Sequence, residues 1–142
     1  MGYSIQAALV RQLGLCQLAD AMKSLKALIA DVPYSNKKLA SMDMEERYRL
    51  IISSILNAIG FRTEVEHILS TGRIDILCDT PRYIYVIELK LTKNGGLVAA
   101  EKQIMNNLYL EPFKADKKRK VVGLAIELDD MGKGLLEWKK VE

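Results

Sequence analysis

The chain has 142 residues, of which 49% are hydrophobic and 27% are charged. This composition is ordinary for a single globular domain and excludes a disordered chain, a collagen-like repeat and a coiled coil. No apolar run approaches the roughly 20 residues of a membrane-spanning helix, and the N-terminus lacks the pattern of a secretory signal. The net charge of +3 permits a polyanionic partner without requiring one.

The cysteine and histidine content narrows the chemistry further. The two cysteines, Cys16 and Cys78, are too few for a disulfide-built domain, and no CxxC pair suggests zinc. We therefore expect a reducing, cytoplasmic location and no association with a membrane. His67 is the single histidine, which excludes a multi-histidine metal site and most Ser-His-Asp mechanisms unless His67 itself serves.

The first 42 residues differ from the rest of the chain. Hydrophobic spacing predicts helices over residues 4–13 and 17–30, with Gly14 between them and Pro33 ending the second. Residues 33–42 are polar and typical of a linker. We predict a helical extension and linker over 1–42, followed by the main domain over 43–142. The extension is too short for a domain of its own, and a homodimer formed through its helices stays open.

The main domain begins with a helix and then changes to strand periodicity. Asp43 and Glu46 have the spacing of a capping box, and the apolar stripe that follows ends at Gly60. The patterns beyond it predict strands over 61–69, 72–79 and 83–91, a helix over 96–110, and strands over 121–128 and 135–141. The order is α-β-β-β-α-β followed by a last strand, which predicts an α/β fold.

The strand over 83–91 carries two charges at its far end. It is apolar on both faces through Ile87, which is typical of a central strand covered on both sides. Glu88 and Lys90 follow, and residues two apart lie on the same face of a strand. Charge on a buried strand is costly unless it is paired or bound to a metal.

The hairpin before this strand brings in a second carboxylate. If Pro81 and Arg82 form a two-residue loop, Asp75 lies directly opposite Glu88, with Cβ atoms about 5 Å apart. Two facing carboxylates beside Lys90 predict a site for Mg²⁺ or Mn²⁺, since such cations take hard oxygen ligands. The ammonium would stabilise negative charge that develops there. A one-residue slip of the register would break this arrangement.

The segment GRIDILCDTPRYIYVIELKL, residues 72–91, resembles the PD-(D/E)XK nuclease superfamily. It is most similar to the branch found at the C-terminus of bacterial AAA-ATPase-like proteins, and ALIADVPYSN resembles the segment that joins the two parts there. Further matches to the family pattern are Glu45 in E-x-x-Y, Glu66 nine residues before the motif aspartate, and Gln103 with Tyr109 in Q-x5-Y. The chain has no GxxxxGK[ST] loop, so we expect either a piece of a larger protein or a stand-alone relative.

The resemblance implies a restriction-endonuclease-like α-β-β-β-α-β core with a mixed central sheet, and metal-dependent hydrolysis of phosphodiester bonds. It implies that Asp75 and Glu88 are metal ligands, with the Leu89 carbonyl as a third, and that Lys90 is the catalytic lysine. It also implies that Glu45 reaches the metal through water and that Gln103 positions Lys90 or a phosphate. One departure is Ile74, which stands where the family pattern has proline.

Plainer interpretations stand beside these. Glu88 and Lys90 could form a solvated strand end, with Lys90 paired to Asp75. Glu45 could simply favour a helix N-terminus, and Gln103 could be an ordinary helix residue. For His67 a structural role is the favoured interpretation. The basic run is either a solvated loop or a DNA contact near the site; its residues are Lys117, Lys118, Arg119 and Lys120.

Together with the resemblance, these residues predict a Mg²⁺- or Mn²⁺-dependent endonuclease acting on DNA, with Asp75, Glu88 and Lys90 as catalytic residues and, as the resemblance implies, Gln103 as a fourth. The basic run and Arg73 are the predicted nucleic-acid contacts. The alternative is a nuclease-fold module with weak or no cleavage that binds nucleic acid or a partner. An ATPase-like partner or upstream domain is the expected associate in either case.

Overall fold

The structure is a computed structural model that describes residues 2–32 and 42–142, with side chains from residue 5 onward. The predicted linker falls on residues 33–42, so all of it but Met42 lies outside the described residues. The elements are α1 (Gly2–Gly14), α2 (Leu18–Ala30), α3 (Met44–Ala58), β1 (Arg62–Leu69), β2 (Gly72–Asp79), β3 (Tyr83–Leu91), α4 (Gly96–Asn106), β4 (Lys120–Leu128) and β5 (Leu135–Val141). Short 3₁₀ turns cover Thr92–Asn94 and Glu111–Phe113.

Helix α3 forms where its sequence predicts it. The Asp43 side chain accepts a hydrogen bond from the Glu46 backbone N–H at 3.3 Å, which satisfies a donor that the first helical turn leaves open. The residues on its buried face are Tyr48, Ile52, Ser53 and Leu56. The helix ends before Gly60, whose φ of +101° suits glycine better than other residues.

The strands form one five-stranded sheet in the order β1-β2-β3-β4-β5. Neighbours are antiparallel except β3 and β4, which are parallel and joined through α4. Strand β3 is central, and its residues from Ile84 to Leu89 are all buried. The predicted α-β-β-β-α-β core with a mixed sheet is confirmed, and β5 extends the sheet beyond it.

Helices cover both faces of the sheet. One face packs against α1, α2 and α3, in a cluster that includes Leu9, Leu25, Ile52 and Leu124. The other face packs against α4 through Ile84, Val86, Ala100 and Ile104, among others. The two N-terminal helices thus share a hydrophobic core with the sheet. None of the helices in the described ranges is long and apolar enough to cross a lipid bilayer.

Helix α4 is shorter than the predicted 96–110. Leu108 has a left-handed backbone with φ of +54°, and the Tyr109 N–H donates to the Ile104 carbonyl in a bond that closes the helix. Apolar periodicity continues past this point, so the spacing of hydrophobic residues alone could not locate the end. The turn buries the Tyr109 ring against the sheet.

Candidate active site

The candidate site lies where β2 and β3 separate. Their pairing runs from Asp79 opposite Ile84 to Ile76 opposite Ile87, which is the register expected from a two-residue loop. At the next position, Asp75 and Glu88 are not paired through their backbones, and their carboxyl groups accept the backbone hydrogen bonds instead. The Asp75 N–H donates to Glu88 Oε1 at 3.2 Å, and the Leu89 N–H donates to Asp75 Oδ2 at 2.9 Å. The structure therefore brings both predicted carboxylates together.

Burial makes this pair of carboxylates electrostatically unfavourable. Glu88 is 1% exposed, and its burial, together with the nearby Asp75 charge, raises its pKa to about 9. Burial also raises the pKa of Asp75, while the Leu89 N–H and the Arg49 charge act against that rise. A cation placed between the carboxyl groups of Asp75 and Glu88 would favour the ionised form of both.

Lys90 lies on the same strand face, two residues beyond Glu88. Its charge acts to lower the pKa of both carboxylic acids, although burial outweighs it. Its neighbour across the β3–β4 pairing is Glu127, whose carboxylate instead accepts hydrogen bonds from the Thr92 hydroxyl at 2.6 Å and the Leu97 N–H at 3.0 Å. Among the ion pairs between described residues, none includes Lys90.

Arg49 is the residue of this site that sequence reasoning missed. Its Nη1 lies 3.4 Å from Asp75 Oδ1, and its Nη2 lies 3.0 Å from Glu66 Oε1. Arg49 follows Glu45 by one helical turn, so the two share a face of α3. That spacing predicts that Arg49 lies beside Glu45, but it does not predict which strand residues this face of α3 contacts.

Glu45 also lies close to the carboxylates. Its charge contributes to the raised pKa of Asp75, and its Oε1 accepts a hydrogen bond from Asn94 Nδ2 at 3.0 Å. The predicted contact of Glu45 with a metal through water stays a prediction. Its position at the start of α3 agrees equally with a charge that favours the helix N-terminus.

Gln103 and Tyr109 are in contact, but their hydrogen bonds converge on the Tyr109 hydroxyl and not on the carboxylates. The Tyr109 hydroxyl accepts hydrogen bonds from Gln103 Nε2 at 3.2 Å, Asn107 Nδ2 at 3.3 Å and the Arg73 N–H at 3.1 Å. These bonds tie the end of α4 to the start of β2. The predicted role of Gln103 in positioning Lys90 or a phosphate therefore stays a prediction, since its amide is engaged with Tyr109.

The basic run lies at the other end of β3 from the carboxylates. Lys120 pairs with Tyr83 at the start of β3, five residues and about 16 Å along the strand from Glu88. Arg119 binds Asp116 at 2.9 Å and faces Asp79 at 3.5 Å. The run precedes β4, so the parallel pairing of β3 and β4 places it beside the start of β3, at the opposite end of that strand from Glu88. A nucleic-acid contact by these residues stays a prediction.

Two other residues singled out in the sequence are Arg73, at the start of β2, and His67, on the neighbouring strand β1. Arg73 follows the hairpin turn, its side chain is 61% exposed, and its Nη1 lies 3.9 Å from Glu66 Oε1, so it is much closer to the carboxylates than the basic run. His67 contacts Glu64 through Nδ1, and its ring centre lies 6.0 Å from that of Phe113. These contacts of His67 agree with a structural role.

The donor set suits a hard divalent cation. Asp75 and Glu88 supply adjacent carboxylate oxygens, and the Leu89 carbonyl as a third ligand stays a prediction. Within the described part of the chain, no group of three or more His, Cys, Asp or Glu side chains is arranged to hold a metal. The remaining positions would thus fall to water or substrate oxygens, as is common for Mg²⁺.

The fold and the site together define an α/β domain of the restriction-endonuclease-like class. Residues 43–138 match the family model of the PD-(D/E)XK nuclease superfamily, and the chain belongs to this superfamily. The match covers α3, the whole of β1 to β4 and most of β5, including every residue of the candidate site. No curated protein and no solved structure matches the chain significantly.

Proposed function

We propose that this protein is a Mg²⁺- or Mn²⁺-dependent nuclease that hydrolyses phosphodiester bonds in DNA. The observation that carries the proposal is the close approach of the Asp75 and Glu88 carboxyl groups at the point where β2 and β3 separate, with Lys90 on the same strand face as Glu88. Membership of the nuclease superfamily supports it. A bound divalent cation would supply Lewis-acid catalysis and make water a better nucleophile.

The protein's own residues would have separate tasks. Asp75 and Glu88 would hold the cation, and the buried setting of Glu88 would fix its position. Lys90 would place its ammonium beside a phosphate oxygen and stabilise the negative charge that develops in the transition state. The engagement of Glu127 by Thr92 and Leu97 supports this role, because it keeps a nearby carboxylate away from the Lys90 ammonium.

A second candidate function is a nuclease-fold module that binds nucleic acid or a partner without cutting. The observation that favours it is the contact between Arg49 and Asp75, which places a protein cation on a predicted metal ligand. An ATPase-like protein is the expected partner in that case. The two candidates differ in whether the purified protein cuts nucleic acid when Mn²⁺ is supplied.

The test is a cleavage assay on supercoiled plasmid, branched DNA oligonucleotides and RNA with Mn²⁺, and with EDTA in a parallel reaction. We expect nicking of DNA that EDTA abolishes and that Asp75→Asn lacks. Mn²⁺ binding without cleavage of any substrate would favour the binding module. Cleavage of RNA but not of DNA would show that the proposed substrate is wrong and that the protein is a ribonuclease.

Lys90→Ala is the sharpest test of the mechanism. We expect it to lower the cleavage rate by about 100-fold or more, as is typical when one stabilising group is removed from a transition state, while Mn²⁺ binding persists. Lys102→Ala, an exposed lysine on α4, is the matched control and should cut like the wild type. Near-full activity in Lys90→Ala would refute the role of this lysine.

A further inference from the structure

Arg49 connects two acidic residues on different strands. Its guanidinium lies between Asp75 on β2 and Glu66 on β1, and its side chain is only 16% exposed. A partly buried guanidinium of this kind is held by the charges around it, because taking a cation out of water is costly unless it is paired. The partners of Arg49 therefore determine where its charge rests.

The two contacts are unequal. The Nη2–Glu66 Oε1 distance is 3.0 Å, whereas the Nη1–Asp75 Oδ1 distance is 3.4 Å. The longer contact with Asp75 has the geometry of a hydrogen bond, and the shorter contact with Glu66 is an ion pair. Glu66 is therefore the anchor that can keep the guanidinium when Asp75 releases it.

The backbone at Glu66 is unusual in a way that suits this anchor. Residues on either side of it pair regularly with β2, Val65 with Ile76 and His67 with Ile74, but Glu66 does not pair with Asp75. Its φ of +52° is left-handed, which is rare for a residue other than glycine and is found preferentially at functional sites. The ladder is therefore interrupted beside Asp75 on both of its neighbouring strands.

The two oxygens of the Asp75 carboxylate have different partners. Oδ2 accepts the hydrogen bond from the Leu89 N–H, and Oδ1 faces Arg49. A divalent cation that binds Oδ1 would lie close to the guanidinium, and two positive charges at such a distance repel strongly in a partly buried site. The cation and Arg49 therefore compete for the same oxygen.

We propose that Arg49 is an internal counter-cation of this site, which a divalent cation displaces from Asp75 while Glu66 retains the guanidinium. This inference rests on the proposed function, since it requires that Asp75 and Glu88 bind a metal. It makes Arg49 and Glu66 positioning residues that set the metal affinity. Arg49 offsets the buried negative charge before the metal arrives, and Glu66 holds the arginine aside afterwards.

The experiment is calorimetric titration of the full chain with Mn²⁺ alone. Arg49→Met removes the competing charge, so we expect the Kd for Mn²⁺ to fall by about tenfold or more. Glu66→Gln removes the anchor, so Arg49 should pair more fully with Asp75 and the Kd should rise. Arg62→Met, which removes one positive charge at the start of β1 four residues from Glu66, is the matched control and should bind Mn²⁺ like the wild type.

A double variant separates this mechanism from a general effect of charge. If Glu66 acts through Arg49, Glu66→Gln should change the Kd much less in the Arg49→Met background than in the wild type. If Glu66 acts only through its negative charge, Glu66→Gln should weaken Mn²⁺ binding equally in the wild type and in the Arg49→Met background. Equal effects, or a Kd in Arg49→Met that is unchanged or higher, would overturn the inference. Should Arg49→Met fail to fold, unchanged binding in Glu66→Gln would overturn it instead.

Thermal melting gives a second measurement and a check on folding. Arg49→Met should melt below the wild type in EDTA and gain more from saturating Mn²⁺, since tighter binding stabilises more. The expected pattern of Kd values without cleavage would sustain the inference and refute the nuclease activity. Asp75-dependent binding with no effect of Arg49→Met would refute the inference alone, and absence of Mn²⁺ binding in all variants would refute both.

Discussion

Glu88 shows how one buried group links the site to stability. Its pKa of about 9 in the folded protein lies above the ordinary value of 4.5, because it is buried beside Asp75. The folded state therefore holds this proton more tightly than the unfolded state does. Its contribution to stability is complete below pH 4.5 and is lost as pH rises toward 9.

We predict that the metal-free protein becomes less stable from pH 6 to pH 8.5, and that Glu88→Gln removes much of this loss. The slope attributable to Glu88 is at most about 1.4 kcal/mol per pH unit. Urea unfolding in EDTA at several pH values measures it, as the stability difference between Glu88→Gln and wild type should widen with rising pH. Parallel curves for the two proteins would contradict a protonated Glu88. The variant should also lose Mn²⁺ binding.

At the scale of elements, β4 fixes the position of α4. Glu127 near the end of β4 accepts the Leu97 N–H in the first turn of the helix, and also the Thr92 hydroxyl that precedes it. A Cβ on Gly96 would lie 2.5 Å from Glu127 Oε1, and Gly96 has φ of +57°. Only glycine satisfies both the left-handed backbone and this close approach. The turn that follows Lys90 is therefore tightly specified.

Gly96→Ala tests this junction. We expect it to lower the free energy of unfolding by about 2 kcal/mol or more, from the left-handed backbone and the contact with Glu127. Gly14→Ala is the matched control: an added Cβ there meets nothing within 4 Å, and its φ is not in the left-handed region. Urea denaturation compares the two. Equal stability in both variants would show that Glu127 moves aside at little cost.

The elements also show which parts of the site can be predicted from the sequence. Local features predict the β2–β3 pair: a two-residue loop fixes its register, and the alternation of side chains then places Asp75, Glu88 and Lys90 on one face. The Arg49–Glu66 contact depends on how α3 packs across the sheet, and the distance from Glu88 to Lys120 depends on the β3–β4 register. Both are set by contacts remote in sequence. No spacing of residues encodes them.

At the scale of the whole molecule, the N-terminal helices belong to the hydrophobic core beneath the sheet. Leu9 and Leu13 of α1 and Met22 of α2 line one small internal cavity together with Cys78 of β2 and Tyr85 of β3. The Tyr85 hydroxyl donates to the Leu13 carbonyl at the end of α1. A boundary at residue 42 stays a prediction, and these contacts imply that the two parts unfold together.

Reactivity of Cys78 measures this coupling in the full chain. Cys78 is fully buried, and burial raises its pKa to about 12, so its thiol should resist labelling at pH 8 until the structure opens. In a Cys16→Ser background, Leu9→Ala should lower stability by about 2–4 kcal/mol, because it leaves a cavity under the sheet. Labelling of Cys78 should then accelerate roughly in proportion to the more frequent opening.

The matched control is Val10→Ala, on the next position of α1, where the side chain is 37% exposed. It should leave both the stability and the labelling rate close to those of the Cys16→Ser background. If Leu9→Ala destabilised α1 without changing Cys78 labelling, the helices would open independently of the sheet. Faster labelling together with one shifted unfolding transition would show that α1 and the sheet form a single cooperative unit.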